Sequence, residues 1–365
     1  MKICFLSDSG SGHTVKWCRN LIQRGHEVSV ISLRNMEISG VPVYTLNENN
    51  VKVRSDWQKL SYITHVRAVR RIIREIKPDI LHAHYLTSYG LLGALSGFRP
   101  LITSVWGTDI QEFPQKSKLH EAVVRFNLHK ADAIWATSHA LSARTRPFTN
   151  KKISVTPFGV DMQVFKPLHR PRTQEYIIGS VKALETRYGM EHLIRAFGIV
   201  KKRHVLPQLK LEIAGMGTKE AEYRRLAEKT GFAEDITFLG YVSPPPKVAE
   251  TFNRFRFAVY PSMEEAFGVA TVEAQACGVP VIVSNVGGLP EVSKPGVTSL
   301  LVPPGDPEAL AEAMESFLFD EDKRKSMASH SRDYVMNRYE ITDTFDHIEN
   351  LYKEFLAQQT NRRKK

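Results

Sequence analysis

Glu265 and Glu273 stand with seven residues between them inside the run PSMEEAFGVATVEAQACGVPV, residues 261–281. The run and the four residues before it predict a buried strand over 257–260, a glycine-containing loop, and a helix that starts near Phe267 and stops at Gly278. The first turn of a helix offers unpaired backbone N–H groups at the positive end of the macrodipole, a natural site for phosphate. Glu265 falls in the loop just before that end, and Glu273 about two turns inside. Carboxylates only accept hydrogen bonds, so such a pair beside an anion site suits a ligand that is both phosphate and polyol. A nucleotide-sugar meets that description. Two glutamates that merely cap or solvate a surface helix are the plainer alternative, and the surrounding Pro-Ser, Phe-Gly and Cys-Gly-Val-Pro context argues against it.

The arrangement resembles the Glu-x7-Glu signature of retaining glycosyltransferases of the GT-B fold, family 4. The resemblance implies that Glu265 bonds the donor sugar and Glu273 the ribose. It also implies that backbone N–H groups of Phe267, Gly268 and Val269 meet the sugar and diphosphate. Metal-free members of that family carry an Arg or Lys, and a Lys five residues later, in the loop after the second domain's first strand. Lys182 and Arg187 occupy those positions here, with Tyr188 inserted before Gly189. Cations fixed on a departing diphosphate stabilise the transition state more than the ground state. The implied catalytic set is Lys182, Arg187 and Glu265, with no metal, no cofactor and no protein general base. UDP is expected ahead of GDP because it is the commoner nucleotide. The loops after two further strands, with Gly215 and Gly217 and with Tyr241 and Val242, are expected to receive the base and ribose.

In the first half, Ser9-Gly10-Ser11-Gly12-His13-Thr14 lies between the opening strand and a helix. It lacks the third glycine of a dinucleotide fingerprint. The resemblance places Gly10 and Gly12 close to the donor, while His13 either meets the acceptor or caps the helix. Trp106-Gly107-Thr108-Asp109 stands where many relatives have His-Gly-Ser-Asp, so the histidine contact is replaced by Trp106. Asp109 either orients the acceptor hydroxyl or caps the following helix. His82 and His84 share one face of a strand, and without a third ligand nearby they read as core or cleft-lining residues rather than metal ligands. Ala131–Ser138 and Pro157–Phe165 match two further landmarks of the family, with Phe158 where asparagine is usual. The resemblance runs from Ser9 to Pro304.

These residues must be positioned by strands and helices that alternate through both halves, with predicted strands over 27–32, 80–84, 101–105, 133–136, 176–181 and 281–283. The expected fold is α/β and GT-B-like, two doubly wound Rossmann-like domains facing a cleft. The expected boundaries are 1–165 for the acceptor-side domain, 166–173 for a proline-bearing linker and 174–338 for the donor domain. Residues 339–365 form a crossing helix and basic tail. A chain of 365 residues is long for one core. Cys4, Cys18 and Cys277 have no paired spacing, which speaks against disulfides and zinc. No signal-peptide pattern and no long apolar run is present, so a cytoplasmic location is expected.

The net charge of +11 favours anionic partners. A basic helix over 57–76 carries Arg67, Arg70, Arg71 and Arg74, and either docks at the anionic inner face of the membrane or is a solvated surface helix. The acceptor is expected to be a carbohydrate or a lipid-linked hydroxyl in cell-surface glycan or glycolipid assembly. The alternatives are a nucleotide-sugar epimerase on the same fold and a non-catalytic nucleotide-sugar-binding subunit. Nucleic-acid binding finds no motif to support it.

Overall fold

The computed structural model describes residues 1–46, 60–168 and 175–363. Residues 57–59 of the expected basic helix, 169–173 of the expected linker and 364–365 of the tail lie outside them. The chain divides into two compact units, Met1–Pro157 with Phe345–Lys365, and Phe158–Thr344.

Uninterrupted apolar runs make strands buried on both faces, which is what a parallel sheet with helices on either side requires. The first unit's strands are β1 (Lys2–Leu6), β2 (Glu27–Ser32), β3 (Val43–Thr45), β4 (Ile80–His84), β5 (Leu101–Val105), β6 (Ala133–Ala136) and β7 (Ile153–Val155). They pair in the order β3-β2-β1-β4-β5-β6-β7. Cys4, Leu6, Leu81 and Leu101 of the sheet pack with Val69, Ile72 and Ile73 from the helix Val66–Ile76.

That helix is preceded by a separate 3-10 turn, Leu60–His65, so the expected single basic helix is two elements over its described part. Its basic face is also partly committed. Arg70 donates to the carbonyls of Leu95 (2.7 Å) and Ser96 (3.0 Å), capping the C-terminus of the helix Tyr89–Ser96.

The last helix, Ile341–Arg363, belongs to the first unit from Phe345 onward, as expected of a closing helix that returns. Phe345 meets Trp17 edge-on at 5.5 Å, and the Tyr352 ring lies 4.7 Å from that of Trp135. The second unit repeats the plan with β8 (Tyr176–Val181), β9 (Leu209–Ala214), β10 (Ile236–Gly240), β11 (Ala258–Tyr260), β12 (Val281–Ser284) and β13 (Ser299–Val302). Their order is β10-β9-β8-β11-β12-β13. The short strands β3 and β13 close one edge of each sheet and were not read from the sequence.

Both sheets reverse direction of growth once, between β1 and β4 and between β8 and β11. Loops leaving the carboxyl ends of such a pair diverge, and this is where doubly wound sheets bind ligands.

Candidate active site

In the second unit the two diverging loops are those that follow β8 and β11, and they carry Lys182 and Glu265. Lys182 Nζ donates to Glu265 Oε2 at 2.5 Å, with only 13% and 11% of the two side chains exposed. The same ammonium lies 4.3 Å from the centre of the Tyr188 ring, and the Arg187 guanidinium lies 5.6 Å from it. Both distances are within cation–π range. Two cations and a carboxylate from residues far apart in sequence are thus gathered around one aromatic ring.

The backbone holds this geometry through glycines that no other residue can replace without strain. The Arg187 carbonyl accepts from Met263 N (2.8 Å) and Glu264 N (3.1 Å), tying the two loops together. Gly189 has φ +62°, and a Cβ there would fall 2.1 Å from the Pro261 carbonyl oxygen. Gly287, at φ +50°, lies so close that a Cβ would come within 1.8 Å of the Glu265 carbonyl oxygen. Gly288 N donates to that same oxygen at 3.2 Å. Gly215 and Gly217 play the matching part behind Lys182, since Cβ atoms there would sit 1.9 Å and 2.2 Å from the carbonyl oxygens of Lys182 and Leu184. In the structure these two glycines serve the approach of one loop to another.

The helix that follows Glu265 runs Val269–Ala276, starting two residues later than expected. Gly268 adopts φ +101°, a conformation outside the helical region that L side chains rarely adopt. The helix therefore begins with the N–H groups of Val269 and Ala270, and Glu273 sits one turn inside instead of two. Tyr260, at the end of β11, donates its hydroxyl to the Ala270 carbonyl at 2.8 Å. Burial holds that phenol well above its ordinary pKa, and the charges of Glu273 and Glu265 add to the effect.

Gln275 fastens the helix sideways, donating to the Val292 carbonyl (2.8 Å) and accepting from Thr298 Oγ1 (2.8 Å). Arg332 caps its far end at the Ala276 carbonyl, 2.5 Å away. The Phe267 ring packs edge-on against Phe158 (5.7 Å) and Tyr339 (5.6 Å), so the unusual Phe158 is a packing partner of the loop. Tyr241 follows β10 and is 74% exposed, and Val242 beside it is partly buried.

In the first unit the loop after β1 holds Gly10 and Gly12, and Gly12 opens the helix Gly12–Gln23. A Cβ at Gly12 would meet nothing within 4 Å, so local packing does not require glycine there. A Cβ at Gly10 would approach the Arg34 guanidinium, the mobile end of a side chain paired with Asp8 at 3.2 Å. His13 lies edge-on to Trp106 at 5.8 Å, and Trp106 in turn covers His84 at 4.5 Å.

Asp109 is 1% exposed, and its carboxylate accepts from Leu86 N (2.8 Å), Gly107 N (2.8 Å) and Trp106 N (3.2 Å). Burial raises its pKa against the pull of those donors. It clamps the ends of β4 and β5 together, so any influence on an acceptor passes through the loop it holds.

His82 is a core residue, between Tyr352 Oη (2.5 Å) and Ser104 Oγ (2.7 Å), and burial lowers its pKa to about 3. His84 is held well below its ordinary value by burial first, then by the neighbouring His82 and His13. Among the described residues no group of three or more His, Cys, Asp or Glu side chains is placed to hold a metal ion.

Sequence reasoning missed Tyr188, Tyr260, Gln275 and the Gly287-Gly288 pair as parts of this site. The adjacent glycines in the loop after a buried strand were a legible signal, since paired glycines mark a close backbone approach.

Comparison with known proteins agrees with this fold. Residues 161–334 match the family described as Glycosyl transferases group 1, and residues 2–138 match Glycosyl transferase 4-like. The chain is 26% identical to the N-acetyl-alpha-D-glucosaminyl L-malate synthase of Bacillus anthracis, over 98% of this chain and 97% of that one. It is 25% identical to the phosphatidylinositol N-acetylglucosaminyltransferase gpi3 subunit of Schizosaccharomyces pombe, over 95% of this chain and 77% of that one. Among solved structures, sucrose-phosphate synthase from Thermosynechococcus elongatus superposes with TM-score 0.85 at 22% identity, covering 98% of this chain and 99% of that one. Anabaena HepE in complex with UDP gives 0.80 at 20% identity, covering 97% and 100%. With two parallel-sheet units, a returning C-terminal helix and family matches along both halves, the chain belongs to the glycosyl transferases group 1 family and has the GT-B fold.

Proposed function

We propose that this glycosyltransferase is metal-independent and retaining, and moves a hexosyl or N-acetylhexosaminyl group from a UDP-sugar to a hydroxyl acceptor. The observation that carries the reading is the meeting of Lys182 and Glu265, beside Arg187, at the carboxyl end of the second sheet's switch point. Lys182 and Arg187 neutralise the diphosphate as the bond from the sugar's anomeric carbon to the β-phosphate oxygen breaks and its electron pair goes to that oxygen. The acceptor oxygen forms the new bond on the same face and its proton passes to a donor phosphate oxygen. Glu265 positions the sugar, Glu273 holds the ribose, and the N–H groups of Phe267, Gly268 and Val269 meet sugar and diphosphate. Tyr241 and Val242 receive the base. From the first unit, Gly10 and Gly12 serve the donor and His13 the acceptor, and Asp109 acts by holding its loop.

The names of the two relatives above contain L-malate and phosphatidylinositol, each an acid with at least one free hydroxyl. Together with the net charge of +11 they favour an anionic acceptor, in glycan or glycolipid assembly. The α configuration in the name of the Bacillus anthracis relative suits retention from an α-linked donor. The exposed Arg67, Arg71 and Arg74 favour peripheral contact with an anionic membrane surface.

The test is a thermal-shift screen of the purified chain against UDP-, GDP-, ADP- and TDP-sugars with EDTA present. A true donor raises Tm selectively, because a ligand that binds only the native state stabilises it, and Glu273→Ala removes the shift. A shift that appears only with Mn²⁺ or Mg²⁺ overturns metal independence, and no shift with any donor overturns the donor-site assignment.

A further inference from the structure

We infer that Tyr188 is a positioning residue for the two diphosphate-binding cations, holding Lys182 and Arg187 by the negative face of its ring; the inference rests on the nucleotide-sugar reading above. Lysine and arginine are long side chains with much rotamer freedom, and two like charges that share a small site repel each other. Something must hold both before a diphosphate arrives. Glu265 accepts from Lys182 at 2.5 Å. The Tyr188 ring serves both, with the ammonium 4.3 Å and the guanidinium 5.6 Å from its centre.

The ring is itself fixed from both sides in sequence. It ends the 3-10 turn Thr186–Tyr188, where Tyr188 N donates to the Glu185 carbonyl at 3.0 Å. Arg187 before it is bonded through its carbonyl to the backbone of Met263 and Glu264, and Gly189 after it is pressed on the Pro261 carbonyl. The aromatic body also packs against the second unit's apolar core. An aromatic side chain anchored this well can orient flexible cations with little loss of its own freedom. Tyr188 is also the residue by which this loop departs from the pattern it resembles, where glycine follows the second cation directly. The departure adds a cation-orienting group where two cations must be kept together.

The test places phenylalanine and its mono-, di- and trifluorinated forms at position 188 of the full chain, and measures UDP and UMP affinity by calorimetry. Fluorine drains the ring face and leaves its shape nearly unchanged, so folding is not at issue. Tyr188→Phe is expected to bind UDP within about twofold of the unaltered chain, and the trifluorinated ring about tenfold more weakly. Log Kd should rise steadily along the series, and the loss should be greater for UDP than for UMP, which lacks the β-phosphate. A flat series, a loss shared equally by UMP, or tighter binding as the ring is drained each overturns the inference. An unaltered chain that binds none of UDP, GDP, ADP and TDP sinks the nucleotide-sugar reading and this inference together, whereas binding with a flat series sinks the inference alone.

Discussion

Lys182 and Glu265 form a largely buried pair, so removing either partner leaves the other charge in a poorly solvated place. The two substitutions should nonetheless differ in what they report. Lys182→Ala should lower kcat by about 10²-fold or more, the scale for losing one electrostatic donor to a developing anion. It should also weaken UDP. Glu265→Gln should spare UDP affinity and reduce turnover, because the partner proposed for it is the sugar and not the phosphate. Near-normal turnover of Lys182→Ala would remove that residue from the diphosphate role. Asp109 makes a different demand. Its carboxylate satisfies three backbone N–H groups, and Asp109→Asn puts an NH₂ donor against some of them. A loss of about 1–3 kcal/mol in unfolding free energy is expected from denaturant titration. No loss would show that the clamp is dispensable.

At the scale of elements, three loops and one helix set the position of Glu265, and the glycines between them are the sensitive points. Gly287→Ala combines a left-handed backbone with a methyl group that would lie 1.8 Å from the Glu265 carbonyl oxygen. The chain should still fold, as circular dichroism would show, with a lower Tm and a much larger fractional loss of turnover, because the loop that must yield is the one holding Glu265. Gly12 offers the opposite case. Its surroundings are open and its backbone unstrained, so Gly12→Ala should change stability by no more than about 0.5 kcal/mol. If a substrate approaches the backbone there, as proposed, donor or acceptor affinity falls while Tm stays put. Unchanged kinetics would take Gly12 out of the site.

At the scale of the whole molecule, the first unit buries imidazoles that must stay neutral. The pKa of His82 falls from 6.5 in the unfolded chain to about 3 when folded, and His84 shifts in the same direction. Above pH 6.5 neither state takes the proton and nothing is lost. Below it the unfolded chain takes protons that the folded chain refuses, so stability falls from pH 6.5 downward until about pH 3. Each such histidine costs about 1.4 kcal/mol per pH unit in that window. Asp109, with its pKa raised, works the other way above 3.8 and offsets a part. Urea midpoints measured between pH 7.5 and 4.5 should fall steeply below 6.5, and a constant midpoint would contradict buried neutral histidines.

The same contrast of scales separates what sequence reading captured from what it could not. Apolar runs located β2, β4, β5, β6 and β8 to the residue, because the pattern of a buried strand is a local property. The types and spacing of Lys182, Arg187, Glu265 and Glu273 were legible for the same reason. The order of strands was not, and it is the reversal between β8 and β11 that brings Lys182 to Glu265 across 83 positions. Nor was the left-handed Gly268 that delays the helix, the Gly287 that admits the Glu265 carbonyl, or the Tyr352 hydroxyl that binds His82 from 270 positions away. Chain-local patterns decided which residues form strands, helices and chemically active loops. Contacts between segments remote in sequence decided how those loops meet, since close approach and burial exist only once the sheets have assembled.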